Sequence, residues 1–65
     1  MRIFLNDDAH DVEPGTLAAA LEDLGFTGRK IATAVNGRFV PALARQSTTL
    51  VEGDRVEVVA PMQGG

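Results

Sequence analysis

Apolar residues alternate with polar ones near both ends of the chain, and only once between them do they take helical spacing. At the start, Met1, Ile3 and Leu5 fall on one face of an extended segment, with Arg2 and Phe4 on the other. Near the end, Val56, Val58 and Ala60 share a face opposite Arg55, Glu57 and Val59. Period-two patterning of this kind predicts strands with one face buried. Leu17, Leu21 and Leu24 lie at i, i+4 and i+7, the spacing of one helical stripe. That helix, "LAAALEDL", spans only about two turns, too short to be stable alone. Its leucine stripe must therefore lie on the sheet. Two more short apolar runs, "IATAV" and "RFV", predict further strands.

Punctuation between these runs sets the order. "NDDAH" reads as a turn, because Asn and Asp tolerate left-handed and Asx conformations, and "HDVE" returns as a short second strand. Pro14 and Gly15 break that strand and Thr16 is a helix N-cap residue. Gly25 suits the position just past the helix, with Phe26 packing back onto the helix end. Asn36-Gly37 between apolar runs predicts a hairpin with a type I′ turn. "ALARQSTTL" is a polar connection with room for a helical turn, and "VEGD" turns about Gly53 into the last strand. Pro61 stops further ladder pairing. The order is strand, strand, helix, then three strands. This is an α+β layout, one helix packed across a mixed sheet of about five strands. A single domain is expected over residues 1–60, with residues 61–65 as a flexible Gly-Gly tail.

Size and composition narrow the function. A 65-residue chain builds a thin core and leaves no room for an enclosed pocket of the usual enzyme size. There are no cysteines, so disulfides, thiolate metal sites and cysteine nucleophiles are excluded. The net charge of −3 disfavours nucleic-acid binding, which needs a basic footprint. Arg29-Lys30 is the only basic pair and reads as a solvated turn. His10 has no second histidine or nearby serine to work with, and Asp7, Asp8 and Asp11 lack the spacing of a calcium loop. No apolar run approaches membrane-span length, and Met1 opens directly into a strand rather than a secretory leader. The cytoplasm is the expected location.

What chemistry remains lies at Gly64-Gly65. A glycine terminus has no Cβ beside its carboxylate, so it can enter a channel that excludes side chains. The carboxylate is a poor electrophile until its oxygen becomes part of a good leaving group, such as an acyl adenylate. A narrow tip on a folded globe suits a carrier: the globe is recognised and the tip is delivered into another protein's active site. A plain interaction domain with an inert tail is the competing reading. The two differ in whether residues can be added after Gly65 without loss.

Several segments together carry a resemblance to a known family. The opening "MRIFLN", which also looks like the first strand of ubiquitin, the helix entry "PGTLAAALEDL", the hairpin "AVNGRFVP", the strand "GDRVEVV" and the closing "GG" resemble the ThiS family. These are small sulfur carriers of thiamine biosynthesis in the ubiquitin-like β-grasp group, to which the molybdopterin carriers also belong. The likeness spans the whole chain. It implies a β-grasp fold and no catalysis of its own. Gly65 would be adenylated by a ThiF-like partner using ATP, then converted to a thiocarboxylate with sulfur from a cysteine desulfurase system. A ThiG-like thiazole synthase would take that sulfur for the thiazole ring. The resemblance implies that Gly64 keeps the tip narrow and that the chain itself binds no cofactor. A carrier for molybdopterin, cysteine or another sulfur product, and a modifier joined through Gly65 to lysines, remain open alternatives.

If the leucine stripe lies over Ile3 and Val56, then Phe4 and Val59 point to the other side of the sheet. First and last strands are neighbours in β-grasp sheets. Phe4 and Val59 are therefore expected to form one exposed apolar patch that partners grip.

Overall fold

The alternation that opens the chain becomes β1 (Arg2–Leu5), followed by β2 (Asp8–Asp11), α1 (Leu17–Asp23), β3 (Ala32–Val35), β4 (Arg38–Val40), a 3-10 helix (Ala42–Ser47) and β5 (Arg55–Val59). These elements come from a computed structural model that describes residues 1–26 and 30–60. The strands form one five-stranded sheet in the order β2-β1-β5-β3-β4. β1 and β5 run parallel and every other pair is antiparallel. The last strand in sequence is thus the central strand in space.

Both hairpins turn in two residues. Asn6 and Asp7 have φ of 46° and 74°, and Asn36 and Gly37 have 52° and 82°. Positive φ at both central positions is the type I′ geometry, whose twist matches the flanking strands. The first turn is tighter than "NDDAH" suggests. Asp8 and Ala9 pair with Leu5 and Phe4, so the second strand begins at Asp8 and ends at Asp11. Two consecutive residues that tolerate the left-handed region suffice to reverse the chain, and no residue is left over for a longer loop.

Local capping sets the ends of α1. Thr16 is in an extended conformation and its Oγ1 accepts from the Ala19 N–H at 3.2 Å. At the other end Gly25 has φ 88°. The Gly25 N–H donates to Glu22 O at 3.1 Å and the Phe26 N–H to Leu21 O at 2.9 Å. This is the Schellman pattern, and it folds Phe26 back against the core as the sequence leads one to expect. The helix start is anchored to the segment before β5. The Leu17 N–H donates to Thr48 O, and the Leu50 N–H to Gly15 O.

The core lies between α1 and one face of the sheet. Leu17, Ala20 and Leu21 of the helix meet Ile3 of β1 and Val56 and Val58 of β5, with Val12, Val40 and Leu50 closing the sides. Met1, Leu5 and Leu24 are partly buried at its margin. Ala60, expected on this face, is exposed, because β5 ends at Val59, one residue before it. Thr33 places a polar group inside. The Thr33 hydroxyl donates to Val40 O at 2.8 Å and accepts from Arg45 Nε at 3.0 Å. A second nitrogen of Arg45 donates to Ile31 O at 2.7 Å. The guanidinium thus ties the 3-10 helix to β3, and the buried hydroxyl is satisfied in both directions.

The two extremes of burial carry a test. Ile3 is 0% exposed and Leu43 is 99% exposed. Ile3→Ala should cost about 2–5 kcal/mol in urea denaturation, whereas Leu43→Ala should stay within about 0.5 kcal/mol of the parent. Comparable costs for the two would show that the core is not where the structure has it.

Candidate functional site

The face of the sheet away from α1 is open. Cross-strand register fixes which side chains meet on it. Phe4 stands opposite Arg55, Ala34 opposite both Glu57 and Phe39, and Ala32 opposite Val59. Phe39 is 70% exposed and Val59 is 63% exposed. The two small alanines between them keep the surface low. Phe39, Ala34, Ala32 and Val59 therefore run as a diagonal apolar strip across β4, β3 and β5, from Phe39, level with Glu57, to Val59 at the end of β5. An open antiparallel face is normally polar, so this strip calls for an explanation.

The patch expected from Phe4 and Val59 does not form in that shape. Phe4 is level with Arg55, four residues before Val59 on β5, which is roughly 13 Å along the strand. The parallel register of β1 against β5 sets this offset, and alternation alone cannot reveal register. Phe4 does face the open side, but it is half-buried and lines a different feature. That feature is a shallow open groove of 660 Å³ running between the two hairpin turns over Arg55 and Glu57. It offers an aromatic face, one guanidinium, two carboxylates (Asp7 and Glu57) and turn amides. These groups suit contact with another macromolecule. Among the described residues no three His, Cys, Asp or Glu side chains come together as a metal site.

Both hairpins reach across to grip β5. From the second turn, the Asn36 N–H donates to Arg55 O at 2.7 Å, and Asn36 Oδ1 accepts from the Arg55 N–H at 3.0 Å. Asn36 Nδ2 donates to the Asp54 carboxylate at 2.9 Å. The other Asp54 oxygen accepts from the Val51 N–H at 2.8 Å, closing the turn into β5. From the first turn, the Asn6 N–H donates to Val56 O at 2.9 Å. Its side chain then pairs with Val58: Oδ1 accepts from the Val58 N–H at 3.0 Å and Nδ2 donates to Val58 O at 3.1 Å.

Of the residues singled out from sequence, Val59 lies in the apolar strip, Phe4 lies in the groove, and Gly64 and Gly65 lie outside the described residues. Phe39 was absent from the sequence expectations although the alternation carries the signal: Val40 faces in, so Phe39 faces out. The roles of Asn6 and Asn36 towards β5 had no sequence signal beyond their suitability for turns. No described helix is long and apolar enough to cross a membrane.

The sheet order, the parallel contact of β1 and β5 and the α-helix across one face define a ubiquitin-like β-grasp protein. A crystal structure of the thiamine biosynthesis protein (ThiS) from Geobacter metallireducens superposes with a TM-score of 0.84 at 26% identity, each chain covered in full. A solution NMR structure of a thiamine biosynthesis protein from the same organism gives 0.80 at 26% identity, covering all of this chain and 88% of the other. The ThiS family model matches residues 3–65. The sulfur carrier protein ThiS of Thermus thermophilus is 36% identical over 63 residues, which is 97% of this chain and 98% of the relative. The chain belongs to the ThiS family.

Asn36 separates backbone strain from hydrogen bonding. Asn36→Gly keeps the left-handed conformation and loses the side-chain bonds, and should cost about 1–2 kcal/mol. Asn36→Ala adds the strain of a Cβ at positive φ and should cost about 1 kcal/mol more. Equal stability of the two variants in denaturant titration would mean that the turn can relax without strain.

Proposed function

We propose that this protein is the sulfur carrier of thiamine biosynthesis, and that its Gly65 carboxylate holds the sulfur. The observation that carries this reading is the family match over residues 3–65, on a β-grasp scaffold whose central strand precedes the last residues in the chain. The protein acts as a co-substrate rather than a catalyst. A carboxylate oxygen of Gly65 attacks the α-phosphorus of ATP in an adenylating partner, and pyrophosphate leaves. A persulfide sulfur from a cysteine desulfurase system then attacks the acyl carbon, AMP departs with the original oxygen, and a thiol of that system reduces the S–S bond of the resulting acyl disulfide to leave the thiocarboxylate. The resulting thiocarboxylate passes its sulfur to a thiazole synthase. The carrier binds no nucleotide of its own, and ATP belongs to the partner's site. Its place is the cytoplasm, where that ATP is. The Gly64-Gly65 pair keeps the tip free of Cβ atoms inside the partner's channel.

The partner holds the globe by the open face. The apolar strip of Phe39 and Val59 lies beside the exit to the tail, and the Phe4 groove with Arg55 and Glu57 supplies polar contacts at a distance from it. An aromatic anchor with a polar surround is the usual make-up of a protein interface.

With ATP, the adenylating partner and a sulfur source, intact mass should rise by the difference between one sulfur and one oxygen, located on the C-terminal peptide. Deleting Gly65 should abolish the change without altering the fold. Sulfur found on any other residue, or undiminished thiazole formation without Gly65, would refute the reading. Covalent conjugates to lysines would indicate a protein modifier instead. Phe39→Ala should weaken binding to the adenylating partner roughly 30-fold in calorimetry. Its melting temperature should hardly change, since the ring is mostly in water. Undiminished affinity of the folded variant would place the interface elsewhere.

A further inference from the structure

We propose that Asn6 is a positioning residue for the carried group, acting through β5 rather than touching any reactant; this rests on the carrier reading above. In a parallel pair, alternate residues of β5 direct both their N–H and their C=O towards β1. The Phe4 N–H donates to Asp54 O and the Asn6 N–H donates to Val56 O, both at 2.9 Å. Val58 is next in this series. By then the main chain of β1 has turned away, because Asn6 and Asp7 form the hairpin turn at positive φ. The side-chain amide of Asn6 stands in for the missing strand. It meets both the N–H and the C=O of Val58, at 3.0 and 3.1 Å. One residue thus ends β1 and supplies one more rung of the ladder.

That rung falls at a consequential place. On its other edge β5 is held by β3 up to the Ala32–Val59 pair. With Asn6 in place, β5 is gripped on both edges at Val58, and Gly65 follows Val58 by seven positions in the chain. Without it, the end of β5 is held from one side only and the fixed root of the tail retreats towards Val56. Every residue released from the sheet must be ordered again when the tip enters a partner's channel. Small errors in the placement of a reacting group lower the rate of the chemical step more than they lower binding. The main docking strip of Phe39 and Val59 lies on other side chains, and although Asn6 borders the Phe4 groove, its side-chain amide is taken up by Val58 rather than offered to a partner, so initial capture of the globe rests on other residues.

Asn6→Gly is the discriminating variant, because glycine keeps the left-handed turn and removes only the amide. Thiocarboxylate formation is followed by intact mass at varied carrier concentration, with ATP, the adenylating partner and a sulfur source. Amide hydrogen exchange is measured on the same proteins. The expected result is a fall in kcat of about tenfold, the scale of losing one net hydrogen bond's hold on the tail root, with KM unchanged within about twofold. Exchange at the Val58 N–H should quicken while Ile3 stays protected. Asn6→Asp keeps an acceptor for the Val58 N–H but sets a carboxylate oxygen against Val58 O, so its kcat should also fall below the native value. It also serves as the test if the glycine variant does not fold. An unchanged kcat in a folded variant, or a raised KM at constant kcat, overturns the proposal and leaves the carrier reading standing. A native protein that gains no sulfur defeats both.

Discussion

Strand β5 is paired on both sides and roofed by the helix, and nearly every other feature of the molecule depends on that placement. Val56 and Val58 supply the floor on which Leu17 and Leu21 rest. β1 lies on one edge and β3 on the other. The two hairpins cannot form one sheet without β5, because no other strand joins them. In a chain this short the apolar surface available for burial is small, so a central strand that contributes to every interface is an economical solution. It also makes the fold strongly non-local, since Leu5 must find Val56 across almost the whole chain.

The same placement roots the end of the chain in the most constrained part of the sheet. A carrier has to present a slender tip from a body that does not shift when the tip is gripped. Here the body is held by the core on one face and by amides from both hairpin turns at the edges. Asn36 holds the first residue of β5 and Asn6 holds the last but one. Neither contact buries much apolar area. Their effect is to fix register and direction, which in a five-residue strand decides where the following residues begin.

The two faces divide the work. The helix-facing side chains are buried and answer for stability. On the open face, the exposed Phe39 and Val59 and the half-buried Phe4 contribute little to the core, so selection on partner contact can act there at small cost to folding. This division also explains how much of the site could be read from sequence. Inward and outward positions follow from period two, so Val59 and Phe4 were correctly placed on the outer face. Their expected union in one patch failed because it required the stagger between two strands nearly fifty residues apart in the chain, and alternation carries no information about stagger. Phe39 instead shares the outer face with Val59, level with Glu57 and separated from Val59 by the two small alanines of β3.

Local chemistry determined the elements themselves. Thr16 and Gly25 bound the helix through their caps, Asn36-Gly37 and Asn6-Asp7 make the turns through residues that accept positive φ, and the alternation chooses the buried face. All of these act over a few residues, so the sequence alone showed that they occur, though it read the first turn as longer than the two residues Asn6-Asp7 and began the second strand too late. The α+β architecture followed from their order, and the family pattern indicated a sulfur carrier. Tertiary structure alone decided the rest: the parallel register of β1 on β5, the strip formed with Phe39, the Arg45–Thr33 contact inside the sheet, and the substitution of the Asn6 amide for a strand that had already turned away. Each depends on the distance and angle between segments far apart in the chain. Those are set by how the whole core packs around β5, not by any stretch of residues taken by itself.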